Sequence, residues 1–429
     1  MRSGWLEAPL QQLTSLIRDG THGTHEDVPT GIPLLSAKDI RNGELNIPAD
    51  CRQISESDYE LLHKNYQVQD DDVLLTIVGS IGRCCLVPKD VPRFTFQRSV
   101  AVVRASKVEP TYLYQYFQSS AFQQRLEDVT NASAQGGVYL GSLAKLSVSF
   151  PEYRAEQSKI AEVLSTMDRA IAQSEALIAK QQRIKTGLMQ DLLTRGIDAH
   201  GQLRSEATHT FKDSPLGRIP VEWECAKLNM FVPSAEYGIS SSLGADGYPV
   251  LRMNNFLDGE AELSDLKRTD ISLPERLWLR NGDVLFNRTN SWDHVGRTGI
   301  WRGQIEKATF ASYLVRLNAA PEKLLPEMLN IWLNWETTQI AMRRRATPAV
   351  QQVNINPTNL RLIFAAFPAD LSEQETIVSR VAALNNALVD RKANLKKLQS
   401  LKTALMQDLL TGKVRVTPLL HSTEAASHG

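Results

Sequence analysis

The sequence predicts an α+β fold in which two α/β domains alternate with two long helices that pair as an antiparallel coiled coil, related by an internal pseudo-twofold duplication. Three observations support this prediction. The segment "IKTGLMQDLLTRG" at 184–196 returns as "LKTALMQDLLTGK" at 401–413, both copies follow a heptad pattern, and the regions between them align with one another. A chain of 429 residues is also too long for one ordinary core.

The same comparison gives the predicted boundaries. We expect globular domains at 1–150 and 221–367, helical regions at 151–196 and 368–415, a connector at 197–220 and a flexible tail at 416–429. The connector is polar and rich in turn residues.

Within each globular domain, short apolar runs separated by turn residues predict strands. Examples are "DDVLLTIVGS" and "KLSVSF". Apolar and aromatic residues at helical spacing predict one helix in "PTYLYQYFQSSAFQQRLEDV" at 110–129 and another in "PEMLNIWLNWETTQIAMRRR" at 326–345. Each domain should therefore contain both helices and strands.

Each helical region predicts a single helix of roughly 40 residues, on the order of 60 Å long. An offset of 217 residues superimposes the two copies without a gap from Pro151 and Pro368 onward. Apolar residues at alternating steps of four and three keep one seam facing a partner helix. The apolar seam positions are Ile160, Leu164, Met167, Ile171, Ile178, Leu188 and Leu192 in the first copy, and Ile377, Val381, Leu384, Leu388, Leu395, Leu398, Leu405 and Leu409 in the second. The polar seam positions Ser174, Lys185, Arg391 and Lys402 could fix the register, although a heptad stripe alone indicates only a spacer or a dimerising helix.

The two globular domains are related less visibly. Trp5 aligns with Trp223 near the start of each domain. With small gaps, "GIPLLSAKDIRNGE" at 31–44 aligns with "GYPVLRMNNFLDGE" at 247–260, "DDVLLT" at 71–76 with "GDVLFN" at 282–287, and "IGR" at 81–83 with "VGR" at 295–297. The chain is therefore interpreted as two copies of a unit of roughly 200 residues.

Composition narrows the functional classes. The formal net charge is zero, which argues against a protein that coats nucleic acid through bulk electrostatics. No apolar run is long enough to span a bilayer, and the first residues do not resemble a secretory signal. The four cysteines lack C-x-x-C spacing, as expected for incidental thiols in a reducing compartment. We therefore expect a cytoplasmic protein.

Motifs of common catalytic sites are missing. "GSIGRCC" at 79–85 lacks the lysine of a phosphate-binding loop. His22 and His25 have a spacing found in metal sites, but no partner set lies near them in sequence, so a loop role is favoured. "INPTNL" at 355–360 only faintly resembles the tetrapeptide of amino-group methyltransferases, and turn chemistry explains it better. We therefore expect a noncatalytic chain without its own metal or cofactor.

The order of these features, with "DGTH", "GIPLLSAKDI", the "EQxxI" helix starts and "LMQDLLTG", resembles the specificity subunit of type I restriction-modification enzymes over nearly the whole chain. The resemblance implies two target-recognition domains, each reading one half of a bipartite, asymmetric DNA site, and a helix pair that sets the spacer. It also implies partners: double-stranded DNA, two modification (methyltransferase) subunits and restriction subunits. S-adenosylmethionine, ATP and Mg would then be bound by those partners. The alternative is a noncatalytic coiled-coil adaptor that binds only proteins, which sequence-selective retention on duplex DNA would exclude.

Candidate DNA contacts lie in loops of the two domains. In the second domain, "FNRTNSWDHVGR" at 286–297 and "MRRRATPAVQQVN" at 342–354 offer asparagine and arginine side chains. Asparagine can pair with an adenine edge, and arginine can bind guanine or phosphate, but cations at a helix C-terminus are also favoured by the helix dipole alone. The candidates are Thr21, Lys38, Arg83, Arg98 and Gln135 in the first domain, and Asn287, Arg288, Asn290, Arg297, Arg343, Arg344, Arg345 and Gln352 in the second.

Overall fold

A computed structural model describes residues 4–131, 136–349 and 352–420 of the chain. Its longest elements are two helices of 39 residues each, Arg154–Leu192 and Leu371–Leu409. We name them the first and second long helix. Shortly after each helix the backbone turns through a glycine in the left-handed conformation, Gly196 and Gly412, each with φ of 65°. Such a glycine is a common way to terminate a helix, since it has no side chain to oppose this conformation.

The chain divides into two compact units, and each unit draws on both long helices. The first comprises residues 1–176 with 392–429, and the second comprises residues 177–391. The part of the first unit that precedes the first long helix is termed the first domain. The part of the second unit between the connector and the second long helix is termed the second domain.

The first domain is built from short strands and five α-helices among its described residues. Its strands are Trp5–Pro9, Thr14–Asp19, Ile32–Leu35, Ile40–Arg41, Glu44–Leu45, Gln53–Ile54, Val73–Thr76, Cys84–Leu86, Thr95–Phe96, Val100–Ala105 and Ser147–Pro151. Its α-helices are Leu10–Leu13, Glu56–Leu62, Pro110–Phe117, Ser120–Asn131 and Leu140–Lys145, with a 3-10 turn at Ala37–Asp39.

The second unit has more strands. They are Phe211–Ser214 and Gly217–Pro220 in the connector, followed by Trp223–Lys227, Ser234–Tyr237, Tyr248–Leu251, Phe256–Leu257, Glu260–Ala261, Lys267–Thr269, Val284–Asn287, Thr289–Asn290, Thr298–Ile300, Thr309–Phe310, Leu314–Asn318, Thr347–Ala349, Gln352–Asn354 and Phe364–Pro368. Its short α-helices are Pro326–Leu333, Glu336–Arg343 and Pro357–Leu360, with 3-10 turns at Leu228–Met230 and Glu275–Leu277.

The two domains share one topology. In the first, an antiparallel sheet has the order Thr14–Asp19, Val100–Ala105, Val73–Thr76, Cys84–Leu86. In the second, the order Ser234–Tyr237, Leu314–Asn318, Val284–Asn287, Thr298–Ile300 repeats it and two further short strands extend the sheet. Each domain also pairs its first strand with the strand before its long helix, with Trp5 opposite Pro151 and Trp223 opposite Pro368. The predicted fold class, including the duplication, is confirmed.

A glutamine in the first turn fastens each long helix to the domain that precedes it. Gln157 accepts a hydrogen bond from the Glu109 amide at 2.9 Å and donates to the Pro151 carbonyl at 2.8 Å. Gln374 accepts from the Leu325 amide at 3.0 Å and donates to the Pro368 carbonyl at 2.8 Å. These matched bonds explain the glutamine of the repeated "EQxxI" segment, because both the oxygen and the nitrogen of a buried side-chain amide need hydrogen-bond partners.

The preceding glutamate holds the chain segment that follows the other long helix. In the first unit, Glu156 accepts from the Arg415 guanidinium at 2.6 and 2.7 Å. In the second unit, Glu373 accepts from Arg204 at 2.6 and 2.9 Å. A carboxylate is also favoured in the first turn of a helix by the helix dipole.

Within each unit the two long helices pack on the domain core. In the first unit, Ile160 and Leu164 share a core cluster with Leu409, and Leu405 packs against it. Asp168 pairs with Lys402 at 2.5 Å while the earlier Glu156 pairs with the later Arg415, so the helices run antiparallel in this unit. In the second unit, Leu192, Ile377 and Val381 share one core cluster, and Leu188 packs against it. All fifteen predicted apolar seam residues are buried or half-buried.

Four details differ from the predictions. The segments 110–129 and 326–345 each form two helices rather than one. The first break occurs where the Ser119 hydroxyl donates to the Tyr116 carbonyl and accepts from the Phe122 amide, and the second where Trp335 is extended. Val416, predicted to start a flexible tail, is buried in the core of the first unit because it covers apolar residues there. The connector contains a strand hairpin and the buried Arg204 rather than turns alone.

Candidate nucleic-acid interface

In the first domain, a tight loop follows the central strand Val73–Thr76 and ends at Arg83. The Gly82 amide donates to the Thr76 carbonyl at 2.9 Å, and the Thr76 amide donates to the Arg83 carbonyl at 2.8 Å. The Gln123 amide nitrogen, on the helix Ser120–Asn131, donates to the Gly82 carbonyl at 2.9 Å. These bonds fix the backbone of Arg83 while its side chain remains exposed.

The second domain repeats this loop at the same place in its sheet. The Gly296 amide donates to the Asn287 carbonyl at 2.9 Å, and the Asn287 amide donates to the Arg297 carbonyl at 2.9 Å. The Gln339 amide nitrogen donates to the Gly296 carbonyl at 2.8 Å. Gly82 and Gly296 have φ of 88° and 87°, a conformation that favours glycine. The predicted alignment of "IGR" with "VGR" therefore corresponds to the same backbone structure.

The loop of the first domain borders a cleft of about 860 Å³. Three cationic side chains line it: Lys38, Arg41 and Arg83. None of the described residues that line the cleft is acidic. A concave surface with cations and no carboxylate attracts anions such as DNA phosphates.

The remaining candidates of the first domain that the structure describes lie outside the residues that line this cleft. Arg98 is exposed. The Thr21 hydroxyl lies 2.7 Å from the His25 imidazole, so this side chain already has a partner. Gln135 lies outside the described residues.

In the second domain, a small sheet joins the two segments predicted to contact DNA. Thr289–Asn290 pairs with Gln352–Asn354, which pairs in turn with Thr347–Ala349. The loop 286–297 and the segment 342–354 therefore lie side by side. The first domain has only a bridge between Val78 and Gly137 at the corresponding place among its described residues.

Among the cations of these two segments, exposure separates the candidates. Arg297, Arg344 and Arg345 are exposed, whereas Arg343 is half-buried beside Gln339. Gln352 is half-buried in the small sheet. The three exposed arginines are the ones available to a nucleic acid.

Burial excludes one candidate, and existing contacts weaken two others. The Asn287 side chain is 0 % exposed and donates to the Met253 carbonyl at 3.0 Å, so it is removed from the candidate contacts. Arg288 lies over the Tyr237 ring, with 5.1 Å from its guanidinium carbon to the ring centre. The Asn290 carbonyl oxygen accepts from the neighbouring Ser291 amide at 2.8 Å, which stabilises the loop itself.

Two exposed groups, one in each domain, were not among the predicted candidates. Arg41 lines the cleft because the left-handed residues Asn42 and Gly43 reverse the chain next to it. Trp292, at 52 % exposed, is the most exposed tryptophan of the chain and lies in the loop that ends at Arg297. The tripeptide "RNG" at 41–43 indicates the turn at Arg41. No pattern in the sequence distinguishes an exposed tryptophan from a buried one.

The described residues contain no group of three or more His, Cys, Asp or Glu side chains that could hold a metal ion. His22 contacts Asp19 at 2.6 Å, and His25 lies 3.3 Å from Asp58, so the two imidazoles have separate partners. Burial raises the pKa of the Cys85 thiol to about 12 and also raises the pKa of Cys84. Both thiols therefore stay protonated near neutral pH and are poor nucleophiles.

Over residues 4–131, 136–349 and 352–420, no helix combines the length and apolar character needed to cross a bilayer.

Comparison with known proteins connects this geometry to a family. A family model described as the type I restriction modification DNA specificity domain matches residues 21–183, which include most of the first domain and much of the first long helix. The MjaVIII specificity subunit of Methanocaldococcus jannaschii, a type I restriction enzyme subunit, is 24% identical over 402 residues, which cover 92% of this chain and 88% of that protein. The putative MjaX specificity subunit of the same organism is 27% identical over 209 residues, so this match spans only 48% of its length.

Solved structures show the same fold. The S subunit of a type I restriction-modification system from M. genitalium has a TM-score of 0.58 at 14% identity, with 94% of this chain and 96% of that chain covered. A chain solved in work on complex assembly and conformational transition of the type I restriction-modification system has a TM-score of 0.55 at 17% identity, with 96% and 98% covered. Residues 21–183 therefore match the type I restriction modification DNA specificity domain, and the chain shares its overall fold with solved type I S subunits.

Proposed function

We propose that this chain reads DNA for a type I restriction-modification complex, with each domain recognising one half of a bipartite, asymmetric site. One observation carries the proposal. Matching backbone bonds, and a glutamine bonded to the preceding glycine, fix the backbone at Arg83 in the first domain and at Arg297 in the second, whereas the other loop residues before them differ. A shared framework that presents different exposed side chains suits two domains that read different bases.

The two long helices would set the number of unspecified base pairs between the half-sites. Each has 39 residues, which corresponds to about 60 Å at about 1.5 Å per residue. Half-sites on one face of B-DNA lie about 34 Å apart, or one helical turn. Helices of this length are therefore long enough to act as a spacer.

Catalysis would belong to partner subunits. Two modification subunits that hold S-adenosylmethionine would dock on this chain, and restriction subunits that use ATP and Mg would join them. The duplication supports two docking sites for one kind of partner, because each unit contains the same fold and the same helix-start contacts. This chain would contribute DNA recognition and no catalytic group.

Single-molecule methylation profiling of host DNA, with the gene present and deleted, tests the proposal. We expect one split, asymmetric N6-methyladenine motif that disappears on deletion and returns on complementation with the wild-type gene. Complementation with the variant Trp292→Ala should change the second half of the motif and leave the first half and the spacer unchanged. The control is Lys89→Gln, which removes an exposed charge beyond the C-terminal end of the strand Cys84–Leu86. This variant should leave the whole motif unchanged.

Two outcomes would contradict the proposal. A motif that is continuous, or that changes in both halves with the loop variant, would argue against one half-site for each domain. If no methylated motif depends on the gene while the modification subunits are active, a protein-binding adaptor is the better interpretation.

A further inference from the structure

We propose that Arg83 and Arg297 are equivalent phosphate anchors, which position the two domains on the DNA backbone and do not read bases. The inference rests on the proposed function and adds to it a division of labour within each loop. The arginine at the end of the loop would supply sequence-independent affinity, and the residues before it would supply specificity.

Arg83 and Arg297 occupy equivalent positions in their sheets. Each arginine immediately precedes the last shared strand of the sheet, Cys84–Leu86 in the first domain and Thr298–Ile300 in the second. In each case the carbonyl of the arginine accepts a hydrogen bond from the last residue of the central strand, at 2.8 Å and 2.9 Å. The two guanidinium groups therefore leave the sheet at the same point.

The backbones of both loops are held in place before any ligand arrives. Gln123 bonds both the Gly82 and the Phe117 carbonyls, and Gln339 bonds both the Gly296 and the Leu333 carbonyls. Each glutamine thus ties the loop to the end of the neighbouring helix. A loop whose backbone is already fixed loses less conformational entropy when it binds DNA, which favours this position for an anchoring side chain.

Both guanidinium groups are free to bind. Among the described residues, neither Arg83 nor Arg297 forms a side-chain hydrogen bond or ion pair, and both are exposed. Other arginines of the same sheets are occupied: Arg104 pairs with Asp72 at 2.8 Å, and Arg316 pairs with Asp283 at 2.8 Å. Arg83 also faces the cleft that Lys38 and Arg41 line, where no carboxylate among the described residues competes with a phosphate.

The choice of phosphate over base follows from the divergence of the two loops. Between the central strand and the arginine, the first domain has "IVGSIG" at 77–82, and the second has the longer "RTNSWDHVG" at 288–296. Residues that read different half-sites should differ between the domains, and these residues do. A residue that is the same in both domains is better explained by a contact that is the same on every sequence, which is a phosphate.

Salt dependence of DNA binding tests the assignment. The chain, purified in complex with its modification subunits, is titrated with a duplex that carries the motif found by methylation profiling and with the same duplex scrambled. The logarithm of the binding constant is measured between 50 and 200 mM salt, roughly the range over which phosphate contacts dominate. Arg83→Gln and Arg297→Gln should each reduce the slope by about 1, and the double variant by about 2, with equal weakening on both duplexes.

Two controls separate phosphate from base contacts. Lys preserves a phosphate contact as a point charge but cannot reproduce a bidentate contact with guanine. Arg83→Lys and Arg297→Lys should therefore keep the wild-type slope and motif. Lys89→Gln removes an exposed charge from the far end of the strand that Arg83 precedes, and should leave the slope unchanged.

The outcomes distinguish this inference from the proposed function. If the wild-type complex does not prefer the motif duplex, the proposed function fails. If the wild type is selective but the glutamine variants keep their slope, or if either arginine variant changes a base of the methylated motif, the phosphate assignment is overturned and the proposed function stands. Thermal melting of each variant checks that its fold is intact.

Discussion

Glu156 and Glu373 occupy equivalent positions in the first turns of the two long helices, but their surroundings differ. The partner of Glu156 is Arg415, whose side chain is 33% exposed. Glu373 receives hydrogen bonds from Arg204, which is 7% exposed, from the Trp223 indole at 3.1 Å and from the Ile197 amide at 2.9 Å. The duplicated units therefore share a carboxylate position, but the second unit gives it more buried partners.

The equivalent tryptophan of the first unit shows the same asymmetry. The Trp5 indole nitrogen is buried and has no hydrogen-bond partner among the described residues. The comparison indicates that duplication fixed the position of the helix start, whereas the contacts around it diverged with the connecting segments. Four experiments test this difference between the two units.

The largest effect is expected from neutralising the two glutamates. Glu373→Gln leaves the buried Arg204 with only the half-exposed Glu222 carboxylate, 3.7 Å away, and should cost about 3 kcal/mol. Glu156→Gln should cost about half as much, because Arg415 can reach water. Hydrogen exchange of the peptides that contain Arg204 and Arg415, measured on the full chain, reports each loss locally. Equal losses would show that the additional partners of Glu373 contribute nothing.

The next effect concerns the glycines of the two loops. A Cβ on Gly82 would lie 2.2 Å from the side-chain oxygen (Oε1) of Gln123. A Cβ on Gly296 would lie 3.1 Å from the side-chain oxygen of Gln339. Both alanine variants bear the cost of the left-handed conformation, about 1 kcal/mol, and Gly82→Ala must also displace a glutamine held by two bonds. We expect a loss of about 2 kcal/mol for Gly82→Ala and about 1 kcal/mol for Gly296→Ala. Hydrogen exchange of the loop peptides measures both, and the reverse order would contradict the tighter packing of the first domain.

A smaller effect is expected at the ion pair between Asp168 and Lys402, which the first unit contains at 2.5 Å. Asn385 is the equivalent of Asp168 by the repeat offset, so the second unit has an amide at this position. Asp168→Asn should lower the stability of the first unit by about 1 kcal/mol, because both groups are only partly exposed. The matched variant Asn385→Ala should have a smaller effect. Chemical unfolding of the full chain, followed by hydrogen exchange of both segments, separates the two.

The smallest effect is a difference in acid sensitivity. Burial lowers the pKa of His63 in the first unit below its ordinary value of 6.5, and its imidazole lies between the Tyr66 carbonyl and the Thr95 hydroxyl. The folded state therefore binds fewer protons than the unfolded state below about pH 6.5, and its stability falls as the pH is lowered through that value. The histidines described in the second unit are exposed or half-buried.

Pulsed thiol labelling after incubation at increasing temperature can test this difference. Cys84 and Cys85 report on the first unit, and Cys225 reports on the second. As the pH falls from roughly neutral to about one unit below the ordinary histidine pKa, labelling of Cys84 and Cys85 should begin at lower temperature, and His63→Gln should reduce this shift. A shift that is equal at Cys225, or that persists in the variant, would contradict a role of His63.

The sequence was sufficient to predict what depends on periodicity. Two copies of one heptad pattern predicted both long helices, and short apolar runs between turn residues predicted the strands, because these patterns reflect local geometry. The break at Ser119 was not predicted, since it depends on hydrogen bonds of one hydroxyl rather than on a change of period.

Contacts between distant residues could not be predicted either. Arg415 and Glu156 are 259 positions apart, and no local pattern indicates that they pair. The candidate DNA surface was found only in part for the same reason. The loop at 286–297 could be selected by its composition, but the sequence did not show that Asn287 points into the core while Trp292 is exposed.

The first unit combines two distant parts of the chain, and this affects how it folds during synthesis. Its core joins Trp5 and Ile160 to Leu409 and Val416, yet roughly 200 residues of the second unit lie between them in the chain. At about 5 to 20 residues per second, a ribosome takes on the order of 10 to 40 s to make that stretch. During this interval the apolar surface around Trp5 lacks its cover. The nascent first unit therefore remains incomplete and prone to aggregation until the second unit has been translated, and chaperone protection would be needed over this window.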